Sequence, residues 1–309
     1  MTEPIRSLDA RYYTDASVFE VECAGLLART WQFGCHASEV EGVGAYATFE
    51  IAGESLFAIR GRDEKIRVFY NVCQHRAHQL VSGSGTTRVV VCPYHAWAYE
   101  LTGELRAGPN LKAVDGFDKS SVCLTEVRVE EFLGFVFVNL DPDAAPMEDW
   151  FPGARAELEE WVPNWAALKP LEWMEIPENC NWKVSVENYS ECYHCSLNHP
   201  TFANGVVKPE TYDIQPQGMC LRHTTECQSL DQMTYDINSG FEHADEYSSW
   251  FLWPMVSFQV YPGNVLNTYH WRAVDKDHVV VWRGWYSVDG IDDEKVRLLA
   301  KQDRATTVE

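Results

Sequence analysis

The chain has 309 residues, 46% hydrophobic and 13% aromatic with 12 Trp, which is enough apolar material for a packed core and too much for a disordered chain. Its 25 basic and 46 acidic residues leave a net charge of −21, so nucleic acid and anionic membrane are poor partners. The charge favours a small cationic substrate or a basic protein, or it serves solubility alone. The length predicts one large or two medium domains.

The opening MTEPIRSLDARYYTD has no apolar core of signal-peptide length, and no apolar run reaches bilayer length. The reading is cytoplasmic, with the ten cysteines mostly free thiols or metal ligands. Asp15 is placed to cap a helix carrying Val18, Phe19, Glu22, Leu26 and Leu27. Residues 1–38 read as an N-terminal helical segment that packs on the catalytic part. From Trp31 the texture changes. AYATFEIAG, SLFAIRG, IRVFYNV, TTRVVVC, HAWAYEL and GFVFVNL are short β-rich runs broken by turns such as GRDEK. They predict a small all-β module over residues 39–148.

NLDPDAAPMEDWFPG is acidic and proline-rich and reads as the exit linker. Residues 149–309 form the second half. Helical texture appears in ARAELEEWV and again over 183–199. Long strands follow in SSWFLW, MVSFQVY, NVLNTYHWRAV and HVVVWRGWYSV, and GIDDEKVRLLAKQDRATTVE closes as a helix.

Inside the β module, Cys73 and His75 form C-x-H, and Cys92 and His95 form C-x-x-H. Two Cys and two His in paired loops predict a four-ligand metal site. Structural zinc uses the same donors but prefers loops with ligands of one kind. One Cys and one His per loop suits a [2Fe–2S] cluster with two thiolates on one iron and two imidazoles on the other. Pro93, Gly83 and Gly85 fit tight turns around it. The flanks YNVCQHRAHQL and CPYHAWAYELTGEL resemble the Rieske domain of ring-hydroxylating and demethylating oxygenases. His78 and Tyr94 stand where respiratory Rieske proteins carry an extra cysteine pair, so the likeness is to the low-potential oxygenase branch.

ENYSECYHCSLNHP, Glu187 to Pro200, holds two histidines five apart. On a regular helix, at roughly 100° per residue, they point about 140° apart, so a shared metal requires the helix to end between them. The spacing alone leaves a polar surface helix open. Glu187, Glu191 and His194 are spaced four and three, on one helical face. Beside a Rieske module, Asn181-Trp182-Lys183, Glu187-Asn188, Glu191, Tyr193-His194 and His199-Pro200 resemble the mononuclear-iron motif of Rieske oxygenases. The resemblance implies that His194 and His199 ligate iron and that Glu191 bridges to a Rieske histidine of a neighbouring subunit. It also implies that Asn188, with Glu187, orders the ligands. Most relatives have Asp where Glu191 stands. The Glu resembles the subset acting on quaternary ammonium compounds, namely carnitine, glycine betaine and proline betaine oxygenases. Cys192 and Cys195 read as buried packing. The third ligand, usually an Asp at a late acidic helix, is not assigned. Glu309 resembles the residue just before it, Asp303 sits poorly in the pattern, and the expectation is that the domain is truncated at its C-terminus.

The resemblance implies an α+β fold, a Rieske β-domain inserted in a helix-grip catalytic domain whose curved antiparallel sheet embraces a long helix. The implied cofactors are a [2Fe–2S] Rieske cluster and mononuclear Fe(II). The implied partners are O2, a separate NAD(P)H-dependent reductase and two further copies in a homotrimer. No nucleotide-binding glycine motif is present. The expected reaction is hydroxylation or N-demethylation of a small quaternary ammonium compound, held against ring faces by cation–π contacts, with Trp250 and Trp253 of SSWFLWP as the candidate cage. An aromatic-ring dioxygenase or aryl demethylase would share every ligand. A non-catalytic electron carrier or zinc-stabilised binding module is the alternative of another class.

Overall fold

The computed structural model describes residues 6–228, 235 and 240–308. Two compact units divide the chain: Cys23–Ala144, and a second built from residues 1–22 together with Ala145–Glu309. The chain opens with α1 (Arg11–Thr14) and α2 (Ala16–Gly25).

The Cys23–Ala144 unit holds ten strands: β1 (Gln32–His36), β2 (Ala45–Ile51), β3 (Glu54–Arg60), β4 (Ile66–Tyr70), β5 (Ser84–Thr86), β6 (Val90–Val91), β7 (Ala98–Tyr99), β8 (Leu105–Ala107), β9 (Glu126–Phe132) and β10 (Phe135–Asn139). Seven pair in the order β1-β10-β9-β4-β3-β2-β5, and β6-β7-β8 form a separate small sheet. The run FVFVN of β10 is buried on both faces, which its alternating aromatic and β-branched residues suit. Burying each large apolar side chain there contributes about 1.5–3 kcal/mol. Gly44, at φ 79°, lets the backbone pass Thr87 where a Cβ would lie 1.9 Å from the Thr87 carbonyl oxygen. The unit begins earlier than the pattern suggests. Residues 23–38 belong here, because β1 pairs antiparallel with β10. With only five residues and an irregular register between Phe33 and Cys35, β1 carries no clean alternation to read.

The second unit continues with α3 (Met147–Trp150), α4 (Ala154–Trp161), β11 (Lys169–Glu178), α5 (Trp182–Tyr189), α6 (Cys195–Asn198) and α7 (Pro200–Gly205). Then follow β12 (Asp213–Gln217), β13 (Cys220–Thr225), β14 (Tyr247–Leu252), β15 (Val256–Tyr261), β16 (Val265–Asp275), β17 (His278–Ser287) and α8 (Asp293–Val308). The seven strands form one sheet in the order β11-β17-β16-β15-β14-β13-β12, antiparallel throughout. YSSWFL and VSFQVY are buried at every position, so both faces of the sheet centre are covered. Period-two alternation sorts the side chains. Tyr247, Gln259, Tyr261, Tyr269 and Trp271 face a cavity on one side. Trp250, on the other parity, meets α4, with its indole N–H donating to Glu157 at 2.8 Å.

The cavity face is gripped by α5 and α8. Ser185 of α5 accepts from the Trp271 indole at 2.9 Å. Asp303 of α8 is 1% exposed and pairs with Arg283 of β17 at 2.9 Å. Its carboxylate also accepts from Trp285 at 2.9 Å and Asn267 at 3.3 Å. The expected α+β arrangement, a Rieske-like β unit inserted in a unit with a curved antiparallel sheet around helices, is the one observed. No helix among the described residues is long and apolar enough to cross a membrane.

Candidate metal centres

The two Cys–His loops of the β unit have the same backbone construction. The Cys73 N–H donates to the His78 carbonyl at 2.9 Å, and the Cys92 N–H to the Trp97 carbonyl at 2.8 Å. Ala77 and Ala96, each four residues after its cysteine, donate back to the cysteine carbonyl at 3.0 Å and take φ of 53° and 55°. The reversals therefore rest on two alanines in the left-handed region. Gly83 and Gly85 lie outside both loops.

The loops separate their donors by type. Cys73 and Cys92 are each 2% exposed in an apolar cluster with Phe57, Phe69, Tyr99 and Leu105. His75 and His95 lie outward with ring centroids 4.7 Å apart. Two inner thiols and two outer imidazoles fit a two-iron cluster divided by ligand type. Among the described residues no three such donors close around a single ion. Trp97 stacks on His75 at 4.8 Å and 12°. His78 and Tyr94, in the places of the absent cysteine pair, meet with centroids 5.5 Å apart.

Tyr99 was not singled out by its sequence context. Its hydroxyl accepts from the Gln74 N–H at 3.1 Å and lies 3.2 Å from Cys73 Sγ, where a thiolate would accept its proton. Burial, and then Cys73, push its pKa well above the usual phenol range. It stays a donor.

In the second unit the helix predicted over 183–199 is broken twice. α5 ends at Tyr189, His194 precedes the single turn of α6, and His199 takes φ −125° and ψ 63° at the junction with α7, where Pro200 forbids continuation. The breaks bring the His194 and His199 rings to 5.0 Å, edge to face, on the wall of a cavity of about 210 Å³. Glu191 therefore does not share a helical face with His194. It reaches the ring through the turn, with Oε1 at 2.6 Å from Nδ1, while its other oxygen accepts from the Tyr193 N–H. Nδ1–H donating to a carboxylate leaves Nε2 as the lone-pair nitrogen, the arrangement of a metal-ligating histidine.

Asn188 also lines the cavity, whereas Glu187 accepts from the Tyr13 hydroxyl of α1 at 2.7 Å. Burial first, and then Glu187, push that phenol up to about 12. Lys183 and Trp182 both donate to Glu22 of α2, at 2.7 and 3.0 Å. The N-terminal helices thus clamp the helix that leads to the histidines. Cys192 and Cys195, read as packing thiols, are joined by a disulfide beside His194. Among the described residues no set of three donors closes around one ion here either. Asp303 is committed to Arg283, Trp285 and Asn267, while Thr306 and Thr307 of the same helix reach the cavity.

Trp250 and Trp253 are not among the cavity residues. Trp250 is fully buried against Glu157, Trp161 and Arg222, on the opposite face of its strand. Trp253 sits in the turn after β14, where its N–H donates to the Met219 carbonyl. The rings that do line the cavity are Tyr189, Phe202, Tyr247, Tyr261, Tyr269 and Trp271, from five strands and helices, and Tyr212, from the loop just before β12. Glu178, at the end of β11, adds a second carboxylate beside Glu191. Strand register and the packing of α5 and α7 gather these rings, which is why the aromatic-rich run SSWFLWP misled.

Comparison with known proteins agrees with this division. Residues 30–118 match the Rieske [2Fe-2S] domain, and residues 147–305 match the ring hydroxylating alpha subunit catalytic domain. The chain is similar to the carnitine monooxygenase oxygenase subunit of Escherichia coli strain K12, at 38% identity over 83% of this chain and 68% of that protein. It is similar at 32% to the glycine betaine monooxygenase oxygenase subunit of Chromohalobacter salexigens, over 67% of this chain and 46% of that one. Among solved structures, a quaternary ammonium Rieske monooxygenase described for carnitine oxidation and inter-subunit electron transfer superposes with a TM-score of 0.84 at 33% identity, covering 95% and 79% of the two chains.

Proposed function

The chain belongs to the Rieske ring-hydroxylating oxygenases, and from that membership we propose that it is the oxygenase component acting on a small quaternary ammonium compound. It is an oxygenase with a Rieske [2Fe–2S] cluster and a mononuclear iron. When bound, the cluster relays single electrons and the iron activates O2 next to the substrate. In this reading Cys73, His75, Cys92 and His95 hold the cluster, and His194 and His199 hold the iron. Glu191 holds the His194 ring by its Nδ1 proton and bridges toward a cluster histidine of a neighbouring copy in a homotrimer. Asn188 helps to order the cavity wall. Electrons come from a separate NAD(P)H-dependent reductase, and the enzyme works in the cytoplasm.

One observation carries the substrate class: the cavity beside the two histidines is walled by seven aromatic rings and two carboxylates. A methylated ammonium has no N–H to donate. Ring faces and diffuse negative charge are what hold it, at about 0.5–2 kcal/mol per cation–π contact. A neutral arene would be satisfied by the rings but gains nothing from Glu178 and Glu191. The test is turnover of the iron-loaded protein with O2 and a reductase, offered a panel of trimethylammonium compounds and arenes, with products read by mass spectrometry. Oxidation at an N-methyl or adjacent carbon is expected. Turnover of arenes with every quaternary amine ignored would overturn the substrate class and leave the oxygenase intact.

A further inference from the structure

Resting on iron held by His194 and His199, we infer that Cys192 and Cys195 form a second redox site in the same cavity, one that consumes hydrogen peroxide when O2 is reduced without a substrate being oxidised. Of the ten cysteines, these are the two that line the cavity, and they are joined to each other. They stand two residues before His194 and one residue after it. Backbone bonds tie them into the turn that carries both histidines. The Cys195 N–H donates to the Cys192 carbonyl at 3.2 Å, and the Cys195 carbonyl accepts from the His199 N–H at 2.9 Å. No three His, Cys, Asp or Glu among the described residues close around one ion, so the sulfurs share the wall with the histidines without joining a ligand set.

Fold stability is a weak reason for this bond. The freedom a disulfide removes from the unfolded chain grows with the loop it closes, and this loop is among the shortest possible. In a reducing cytoplasm, disulfides are rare and those present are usually catalytic or redox-sensing. Thiols that line the cavity meet whatever O2 becomes there. O2 that takes up two electrons and two protons with no substrate to oxidise is hydrogen peroxide, and the oxygenase reaction supplies both the O2 and the electrons. One thiol sulfur attacks a peroxide oxygen. The S–O bond forms, the O–O bond breaks, and water leaves behind a sulfenic acid. The second thiol attacks that sulfur. The S–S bond forms, the S–O bond breaks, and a second water leaves. The pair gives up two electrons and the peroxide takes them. The disulfide in the structure is the oxidised form. A dithiol reductant restores the thiols by exchange, entering at Cys192, which is half-buried where Cys195 is buried.

The test starts from protein loaded with cluster and iron, its disulfide opened by a phosphine that is then removed. The protein is given a reductase, NAD(P)H and O2 but no substrate, with catalase in solution to destroy any peroxide that escapes. Alkylation and mass spectrometry then count the free thiols at Cys192 and Cys195. Both should fall by about fivefold or more, recovered as the disulfide, and neither should change without O2 or after the mononuclear iron is stripped. With catalase omitted, the double variant Cys192→Ser with Cys195→Ser should release peroxide from the first turnover, whereas the wild type first consumes about one equivalent per chain. Thiols that survive uncoupled turnover, oxidation that catalase abolishes, or oxidation that proceeds equally without mononuclear iron overturns the inference and leaves the iron assignment standing. A disulfide that the phosphine does not open in the folded protein does the same. An iron content that accounts for the cluster alone overturns the iron assignment and the inference with it. The wild-type thiol count needs no variant, so a misfolded double variant cannot mask the answer.

Discussion

Glu191 Oε1 lies 2.6 Å from His194 Nδ1, across a turn and not along a helix. The pair is set by the end of α5 at Tyr189, and its geometry assigns the two ring nitrogens different tasks. Glu191→Gln keeps the side-chain shape and removes the charge that holds Nδ1–H. Turnover is expected to fall by about 10–100-fold, the usual effect of losing a carboxylate behind a metal-binding histidine. Chemical reduction of the cluster, followed by its visible spectrum, should be unaffected. Glu191→Ala running at the wild-type rate would remove Glu191 from the mechanism.

Tyr99 offers a reading on the cluster alone. Its hydroxyl lies 3.2 Å from Cys73 Sγ in a fully buried position, placed to donate to the sulfur once that is a cluster thiolate. A hydrogen bond to a thiolate favours the more negative, reduced cluster. Tyr99→Phe should therefore lower the midpoint potential, and a differential of about 1 kcal/mol is on the order of 40 mV for one electron. Redox titration followed by EPR checks this. An unchanged potential in an intact cluster would show that the phenol serves packing only. Cys73→Ser or His95→Ala should instead abolish the Rieske EPR signal.

The parts of the site most legible in the sequence were those where chemistry dictates residue type. Cys73, His75, Cys92 and His95 stand out because few side chains can bind iron, and loop spacing survives drift in everything around it. His194 and His199 were legible only once the cluster had raised their significance, since their spacing defeats a regular helix. The double break that reconciles them is encoded in part by Pro200. The pocket was not legible. Which aromatics face it depends on strand parity, and a one-residue shift inverts the set. Trp250 looked as suitable as Tyr247 or Tyr261, yet it meets α4 on the other face. Glu178 gave no signal, because a carboxylate at a strand end is ordinarily solvated. The N-terminal clamp on α5, from Glu22 to Lys183 and Trp182, joins residues about 160 positions apart that no local pattern connects.

Histidine burial makes stability depend on pH. His223 is fully buried, bonded at Nδ1 to the Tyr212 hydroxyl at 2.8 Å, and burial lowers its pKa from 6.5 to about 4. His36 is lowered to about 4 for the same reason. An unfolded chain protonates these rings near pH 6.5, and the folded chain resists until about pH 4, so the unfolded state binds more protons between those values. Stability is therefore full above about pH 6.5 and declines as pH falls toward 4. For His223 the total loss is about 3 kcal/mol. Thermal melts of the wild type should show this decline, and His223→Gln should flatten it in the second unit. A His223→Gln profile parallel to the wild type would refute the assignment.

Asp303 was weighed as a metal ligand, and its surroundings give it a different task. It is 1% exposed, receives Arg283, Trp285 and Asn267, and fixes α8 to β16 and β17. Arg283 is 1% exposed and stacked on Tyr269, so removing Asp303 strands a guanidinium in the core. Breaking one partner of such a pair costs about 3–5 kcal/mol, because the remaining charge is left buried and uncompensated. Asp303→Ala should lower Tm by roughly 10 °C in a unit of this size. Replacing both partners, as Asp303→Leu with Arg283→Met, should recover much of that loss, since well-packed apolar residues often match a buried ion pair. The two roles separate cleanly in the single variant. A structural Asp303 loses stability whether or not iron is present, whereas a ligand loses iron binding and leaves the melting of the iron-free protein unchanged.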